Sequence, residues 1–288
     1  MKALITGING FVGPHLKAEL EKNNYEVFGS DIHKRSEDAK NIFICDITNY
    51  AEVLKVINQV KPDCIFHLAG FSSVAKSFQQ PELCHKINVE GTRNLLKAIV
   101  EAELRSKVLI VSSAQVYGRP KYLPIDEKHP IDQSSPYAKS RIDQENLCKE
   151  FDLPIIIARS FNHTGPGQPD TFAIPSFKKQ VKETPDGGVI KAGNIEVVRD
   201  FSDVRDVVRA YRVLIEKGKE GEIYNVGSGK GLSIKEVIET FMNREKKNLK
   251  IEIDPNRTRD QEIPALICDN SKISKLGVKI RDIFSYPD

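Results

Sequence analysis

The chain has 288 residues, 40% of them apolar and 29% charged, an ordinary balance for a folded globular protein of one large or two smaller domains. Lys and Arg outnumber Asp and Glu by three, 43 against 40, which excludes a polybasic nucleic-acid surface. There is no apolar stretch of membrane-spanning length and no signal-peptide core, and the five scattered cysteines lack metal-ligand spacing. A cytoplasmic protein with reduced thiols, no membrane segment and no bound metal is therefore expected.

Residues 2–6 form an apolar, strand-type run that flows into Gly7, Gly10 and Gly13 and then into a helical pattern over about 11–23, with Phe11, Val12, Leu16 and Leu20 on one face. A strand, a glycine turn and a helix start in that order make a phosphate nest. Gly7 permits the tight turn, Gly10 lets a pyrophosphate approach the backbone at Phe11 and Val12, and Gly13 lets the helix pack close to the strand. The spacing is G-x-x-G-x-x-G. A second strand, 26–30, ends at Asp31, 18 residues after Gly13. A carboxylate there accepts both ribose hydroxyls of an adenosine and repels a 2′-phosphate, which favours NAD(H) over NADP(H). His33, Lys34 and Arg35 would receive a 2′-phosphate if Asp31 turned away.

A third strand, 41–45, leads to Asp46 and Ile47, where Asp46 could accept from an adenine amino group; a helix follows at 49–60. A fourth strand, 63–67, ends in His67-Leu68-Ala69-Gly70, small enough for a cofactor to lie close, and precedes a helix at 81–103. The fifth, 107–111, runs into Ser112 and Ser113, the next helix covers 134–151, and a sixth strand covers 154–159. This alternation predicts a Rossmann-type, doubly wound parallel sheet with helices on both faces and ligands beyond the strand carboxyl ends. After Arg159 the rhythm breaks into a Gly-, Pro- and Asn-rich stretch, with one more helix at 203–217. The expected division is a dinucleotide-binding domain over 1–160 plus about 195–226, and a smaller α/β substrate lobe over about 161–194 and 227–288.

The motifs Gly7-x-x-Gly-x-x-Gly13, His67-Leu-Ala, Asn88-Val-x-Gly-Thr92, Ser112-Ser-x-x-x-Tyr-Gly118, Ser135-Pro-Tyr137, Arg159-Ser-Phe-Asn162, Arg199-Asp-Phe-x-Asp-Val-Arg-Asp206 and Tyr224-Asn-Val-Gly-Ser228 resemble the extended short-chain dehydrogenases/reductases that act on nucleotide-linked sugars. Within that family the chain is most similar to the GDP-mannose 4,6-dehydratases and the sister GDP-4-keto-6-deoxy-mannose reductases. The resemblance implies that Tyr137 is the general acid/base and that Ser113 shares its hydrogen bond to the substrate. It also implies a Lys four residues after the Tyr that holds the nicotinamide ribose and eases loss of the phenol proton. A phenol of pKa about 10 needs such a fixed cation, and i+4 on a helix supplies the place. Here that place holds Arg141, a charge-conserving but not a shape-conserving change.

In the family's dehydratases the hydroxyl is followed by an Asp or Ser and then a Glu base; this chain has Ala114 and Gln115, which disfavours dehydration. The resemblance further places Asn162, Arg199, Arg259 and Glu262 at the nucleotide diphosphate sugar. It implies reduction of a GDP-linked 4-keto-6-deoxy-hexose to GDP-6-deoxy-mannose, with 4-epimerisation on tightly held NAD as the alternative and a catalytically weak dinucleotide sensor as the third. A homodimer through helices 81–103 and 134–151 is implied as well, although the apolar stripes Leu83, Ile87, Leu95, Ile99, Ile142 and Leu147 would serve equally in a monomer's own core.

Overall fold

The computed structural model describes residues 1–33, 41–257 and 262–286. The first half alternates as the periodicity predicts: β1 (Lys2–Thr6), α1 (Val12–Lys22), β2 (Glu26–Asp31), β3 (Ile42–Ile44), α2 (Tyr50–Val60), β4 (Cys64–His67), α3 (Val74–Gln79), α4 (Pro81–His85), α5 (Gly91–Glu101), β5 (Lys107–Ser113), α6 (Pro136–Cys148) and β6 (Ile155–Ser160). The remainder comprises β7 (Asn162–Thr164), α7 (Ala173–Glu183), β8 (Val189–Ala192), β9 (Val198–Asp203), α8 (Val204–Lys217), β10 (Ile223–Val226), β11 (Gly231–Ser233), α9 (Ile234–Glu245), β12 (Lys250–Ile253) and β13 (Ala265–Leu266). Among the described residues no helix is long and apolar enough to cross a membrane.

Seven parallel strands form the main sheet in the order β10-β6-β5-β4-β1-β2-β3. This is the doubly wound Rossmann-type sheet expected from the sequence. The strand order reverses between β1 and β4, so the crevice that holds ligands in such sheets opens above these two strands. Strands read as nearly continuous apolar runs because both faces are covered. On one face Leu16 and Leu20 of α1 pack with Val207, Tyr211 and Leu214 of α8; on the other Val53 and Ile57 of α2 pack with Leu95 and Ile99 of α5.

The smaller lobe is built on β11-β9-β13, with β7 also pairing β9, and on a separate β8–β12 pair. Residues 195–226 do not return to the main sheet as one piece. β9 lies in the smaller sheet, and only α8 and β10 go back. β9 pairs with β7, β11 and β13 instead, and Asp200, fully buried on it, anchors the join. Its carboxylate accepts from the Ser228 N–H (2.9 Å) and Oγ (2.6 Å) and from the Gly229 N–H (2.8 Å), tying β9 to the turn after β10. Asp203 then caps α8 by accepting from the Arg205 N–H at 2.8 Å.

The helix expected over 81–103 is broken by a π-helical turn, Lys86–Glu90. Such turns push one extra residue out of the regular ladder, and here it turns Asn88 inward. Of the apolar stripes, Leu95, Ile99, Ile142 and Leu147 are buried in the chain's own core, Ile87 lines the cavity described below, and Leu83 reaches that cavity while remaining 44% exposed. The same helices carry the pairs His85–Asp143, Arg93–Glu90 and Arg93–Glu150.

Helix α6 positions the chemistry. Ser135 caps it by accepting from the Ala138 N–H (3.0 Å), and Pro136 suits its first turn. Farther along, Glu145 accepts from Arg159 on β6 (Nη2, 2.6 Å; Nε, 3.0 Å) and from the Ser112 hydroxyl on β5 (2.6 Å). Both ions are about nineteen-twentieths buried, at 6% and 5% side-chain exposure. A lone ion in that place is costly, whereas a well-packed apolar pair is not. Glu145→Leu should therefore lose roughly 3–5 kcal/mol of unfolding free energy, and the double variant Glu145→Leu/Arg159→Met should recover most of it. Denaturant unfolding of the three proteins checks this; equal losses in the single and double variants would refute it.

Candidate active site

The carboxyl ends of β1, β2, β4, β5 and β6 open on one cavity of about 670 Å³. Gly7, Gly10, Phe11, Val12 and Gly13 line one wall, and Asp31, Asp46 and Ile47 the adjacent end. Leu68, Ala69, Ser112, Ser113, Tyr137, Arg141 and Asn162 also reach it. Arg199 and Glu262 lie outside this lining, and Arg259 falls outside the described residues, as do Lys34 and Arg35. Arg199 is near by connectivity: β7 pairs β9 so that Asn162 stands opposite Phe201, two residues beyond Arg199. The Oε2 of Glu262 is buried without a hydrogen-bond partner.

The glycine wall follows from backbone geometry. Gly7 adopts φ +72°, and its N–H donates to the Ser30 carbonyl at 2.7 Å, turning the chain out of β1. A Cβ on Gly13 would sit 2.0 Å from the Ile8 carbonyl oxygen, so only glycine lets α1 begin this close to the turn. No side chain caps the start of α1, which leaves first-turn N–H groups and the positive end of the helix dipole to a ligand. Asp31 is held in place by one backbone N–H per oxygen, Asn9 to Oδ2 (3.0 Å) and His33 to Oδ1 (3.1 Å), with lone pairs to spare. Asp46 commits one oxygen to the Thr48 N–H and hydroxyl, both at 2.8 Å, and keeps the other.

At the opposite end Ser113 Oγ accepts from the Gln115 N–H (3.2 Å), capping a short 3₁₀ turn, so its O–H remains available to donate. Ala114 and Gln115 follow it into the cavity wall. Tyr137 stands in the first turn of α6, and the Arg141 guanidinium carbon lies 5.3 Å from its ring centroid. Arg141 is buried at 6% exposure and donates to neutral oxygens: Gln144 Oε1 (2.9 Å), the Val111 carbonyl (3.2 Å) and the Phe71 carbonyl (3.5 Å). Its Nε has no partner.

Beneath the cavity runs a polar chain whose donors can be assigned throughout. The Ala69 N–H donates to Thr6 Oγ1 (3.2 Å), which donates to His67 Nδ1 (2.7 Å). Nε2 of His67 and Nε2 of Gln144 both donate to Thr92 Oγ1 (2.9 and 2.7 Å), which donates to the Asn88 carbonyl (2.7 Å). The His67 imidazole is thus neutral, with its hydrogen on Nε2. Burial, reinforced by the Arg141 charge, pushes its pKa down to about 3. His163 is likewise pushed down by burial; its Nδ1 donates to the Phe161 carbonyl and its ring stacks on Phe11. His67 is not a proton donor to the cavity.

Several lining residues have no signal in the sequence. Lys86 enters through the π turn, Phe172 from an irregular loop, and Tyr211 from α8, its hydroxyl 2.6 Å from Ser160 Oγ.

The family model described as GDP-mannose 4,6 dehydratase matches residues 4–281. The GDP-6-deoxy-D-mannose reductase of Pseudomonas aeruginosa is 34% identical over 270 residues, covering 91% of this chain and 86% of that protein. A solved P. aeruginosa structure complexed with NADPH superposes with a TM-score of 0.85 at 32% identity, covering 96% of this chain and 93% of the other. The Thermus thermophilus UDP-glucose 4-epimerase in complex with NAD superposes with a TM-score of 0.86 at 25% identity, covering 97% and 94%.

The assignment of His67 carries a pH dependence. The unfolded chain takes a proton there near pH 6.5, whereas the folded chain resists until about pH 3, so between these values the unfolded state binds more protons. Stability from this residue is complete above its unfolded pKa and is lost as pH falls toward its folded one, by up to about 1.4 kcal/mol per pH unit. Thermal melts between about pH 7.5 and about pH 5 should show a shallower decline for His67→Gln than for the wild type, His163 being common to both. Parallel declines would sink the assignment.

Proposed function

The chain belongs to the GDP-mannose 4,6-dehydratase family, and from that premise we propose that it is an NAD(P)H-dependent reductase of a GDP-linked 4-keto-6-deoxy-hexose, yielding GDP-6-deoxy-mannose. The observation that carries the reading is the proton inventory beside Tyr137. Ser113 is a hydroxyl, Ala114 and Gln115 are neutral, and His67 is an imidazole held uncharged within the wall. A dehydration needs a second acid/base at the positions of Ala114 and Gln115; reduction of a ketone needs one proton donor.

The residues present fit a dinucleotide. The uncapped start of α1 and the backbone at Phe11 and Val12 suit its pyrophosphate, Asp31 its adenosine ribose, Asp46 and Ile47 its adenine, and the unpartnered Nε of Arg141 the second ribose. When bound, the reduced nicotinamide supplies a hydride. Leu68, Ala69 and Ser112 keep that wall close and dry. The Tyr137 hydroxyl holds the substrate carbonyl oxygen and passes its proton to it, Ser113 donating to the same oxygen. The Arg141 guanidinium, its carbon 5.3 Å from the Tyr137 ring centroid, supplies positive charge beside the phenol as its proton leaves. Asn162 lines the cavity and is the residue of the smaller lobe placed to hold the sugar nucleotide; the resemblance assigns Arg199, Arg259 and Glu262 to the same task.

Asp31 supports a second reading. A carboxylate pinned by two N–H groups is suited to unphosphorylated NAD, which a 4-epimerase retains between half-reactions.

Purified protein mixed with NADPH or NADH and a GDP-linked 4-keto-6-deoxy-hexose should oxidise cofactor stoichiometrically and release a 6-deoxy sugar nucleotide. Interconversion of GDP- or UDP-hexoses at C4 without net oxidation would replace the reductase by the epimerase. Tyr137→Phe should lower kcat by about 10²–10⁴-fold with cofactor affinity retained.

A further inference from the structure

Arg141 stands where relatives by resemblance carry Lys, and the surrounding atoms are shaped for the difference. Gly70 is the first of these. A Cβ there would lie 2.9 Å from Arg141 Nη2 and 3.4 Å from Nη1, inside the space the fork occupies. An ammonium is a compact point charge and needs no such slot. Gln144 is the second. Its amide cannot turn, because Nε2 is committed to Thr92 Oγ1, so Oε1 must meet Nη1. A carboxylate never enters: among the described residues no Asp or Glu pairs with Arg141, while the comparably buried Arg159 is paired with Glu145.

We propose that Gly70 and Gln144 are positioning residues that make position 141 a seat for a guanidinium, held by neutral oxygens alone so that its charge and its Nε hydrogen remain available to the phenol and the dinucleotide. The proposal rests on the functional reading above for what the cation serves, but not for the existence of the seat. Gly70 supplies room and Gln144 supplies direction. A carboxylate at 144 would fix the fork equally well and cancel the charge locally.

Four proteins test the seat: wild type, G70A, R141K and G70A/R141K. A Cβ at Gly70 also meets Asn88 Oδ1 at 2.9 Å, but that contact is common to both backgrounds and cancels in the cycle. The chain has no Trp, so the fluorescence of added NADH or NADPH reports binding without protein background. In the wild-type background G70A should raise the dissociation constant at least tenfold and lower the melting temperature. In the R141K background it should raise the constant less than threefold, with a smaller drop in melting temperature. Equal penalties in the two backgrounds would overturn the seat, and coupling in melting temperature without coupling in binding would overturn its positioning role. Should the wild type bind neither dinucleotide, the functional reading falls, and the melting cycle, read without ligand, still decides the seat. Gln144→Glu separates charge from geometry. The variant keeps an oxygen on Arg141 Nη1 but loses the Nε2 donation to Thr92 Oγ1, so its melting temperature falls; kcat for the keto sugar should fall at least tenfold at unchanged KM, and an unaffected kcat would refute the role given to Gln144.

Discussion

A guanidinium buried without a carboxylate is the constraint on which the candidate site depends. Such a charge is costly to desolvate, and buried charges are normally cancelled by an opposite one. The same helix does so one residue past Gln144, where Glu145 takes Arg159. Arg141 is instead surrounded by carbonyl and amide oxygens, which lower the cost of burial through hydrogen bonds and leave the net charge intact. Adjacent turns of α6 thus handle two cations: Glu145 neutralises Arg159 of β6, holding the helix against β5 and β6, and Arg141, carried by the helix itself, keeps its charge at the cavity.

That arrangement explains why α6 is buried on nearly all sides. Tyr137, Arg141, Gln144 and Glu145 fall at i, i+4, i+7 and i+8 and form a polar stripe facing inward. The stripe is tolerated because every member is tied to a neighbouring element: Tyr137 by its N–H to Ser77, Arg141 to the Val111 and Phe71 carbonyls, Gln144 to Thr92, Glu145 to Arg159 and Ser112. The π turn before α5 belongs to the same network. It brings Asn88 to bond Phe71 from both sides and to donate to Ser140 Oγ at 2.9 Å, fixing the loop whose carbonyl receives Arg141.

The parts of this site that are local in sequence are legible there. The nest at Gly7, Gly10 and Gly13 joins a strand to a helix within a few residues, so periodicity and glycine spacing expose it. Tyr137 and Arg141 are one helical turn apart and can be paired by geometry alone. What sequence reading misses is non-local or sub-periodic. Gly70 reads as a small residue at a strand end, and nothing in its neighbourhood announces that its missing Cβ is matched to a side chain on a distant helix. Lys86-Ile-Asn-Val-Glu90 has an ordinary helical pattern, so its π turn is set by packing. Nothing local in Val198–Asp203 says that it pairs with β7, β11 and β13 rather than with the main sheet, which is why the sequence keeps 195–226 together. In the Arg199-Asp200-Phe201 run the motif draws attention to the arginine, whereas the buried carboxylate beside it organises the fold.

The division between reduction and epimerisation turns on what the cavity retains. Both reactions use one proton donor and one hydride carrier, and neither calls on a carboxylate at the positions of Ala114 and Gln115. An epimerase must keep its cofactor and let the sugar present either face; a reductase must release its cofactor after each turnover. The features that grip the adenosine end, Asp31 on its two N–H groups and the uncapped start of α1, govern retention. On the proposed reading the sugar end is bounded by Asn162 and the loop bearing Phe172, both in the cavity lining. Phe172 is 41% exposed at the rim and Asn162 is carried on a three-residue strand of the smaller lobe, so the sugar end is the less constrained of the two. On the proposed reading the chemical step is therefore common to reduction and epimerisation, and the difference between them lies in the cofactor-facing and sugar-facing parts of the wall, around an Arg141 that α6 carries and the Val111 and Phe71 carbonyls hold in position.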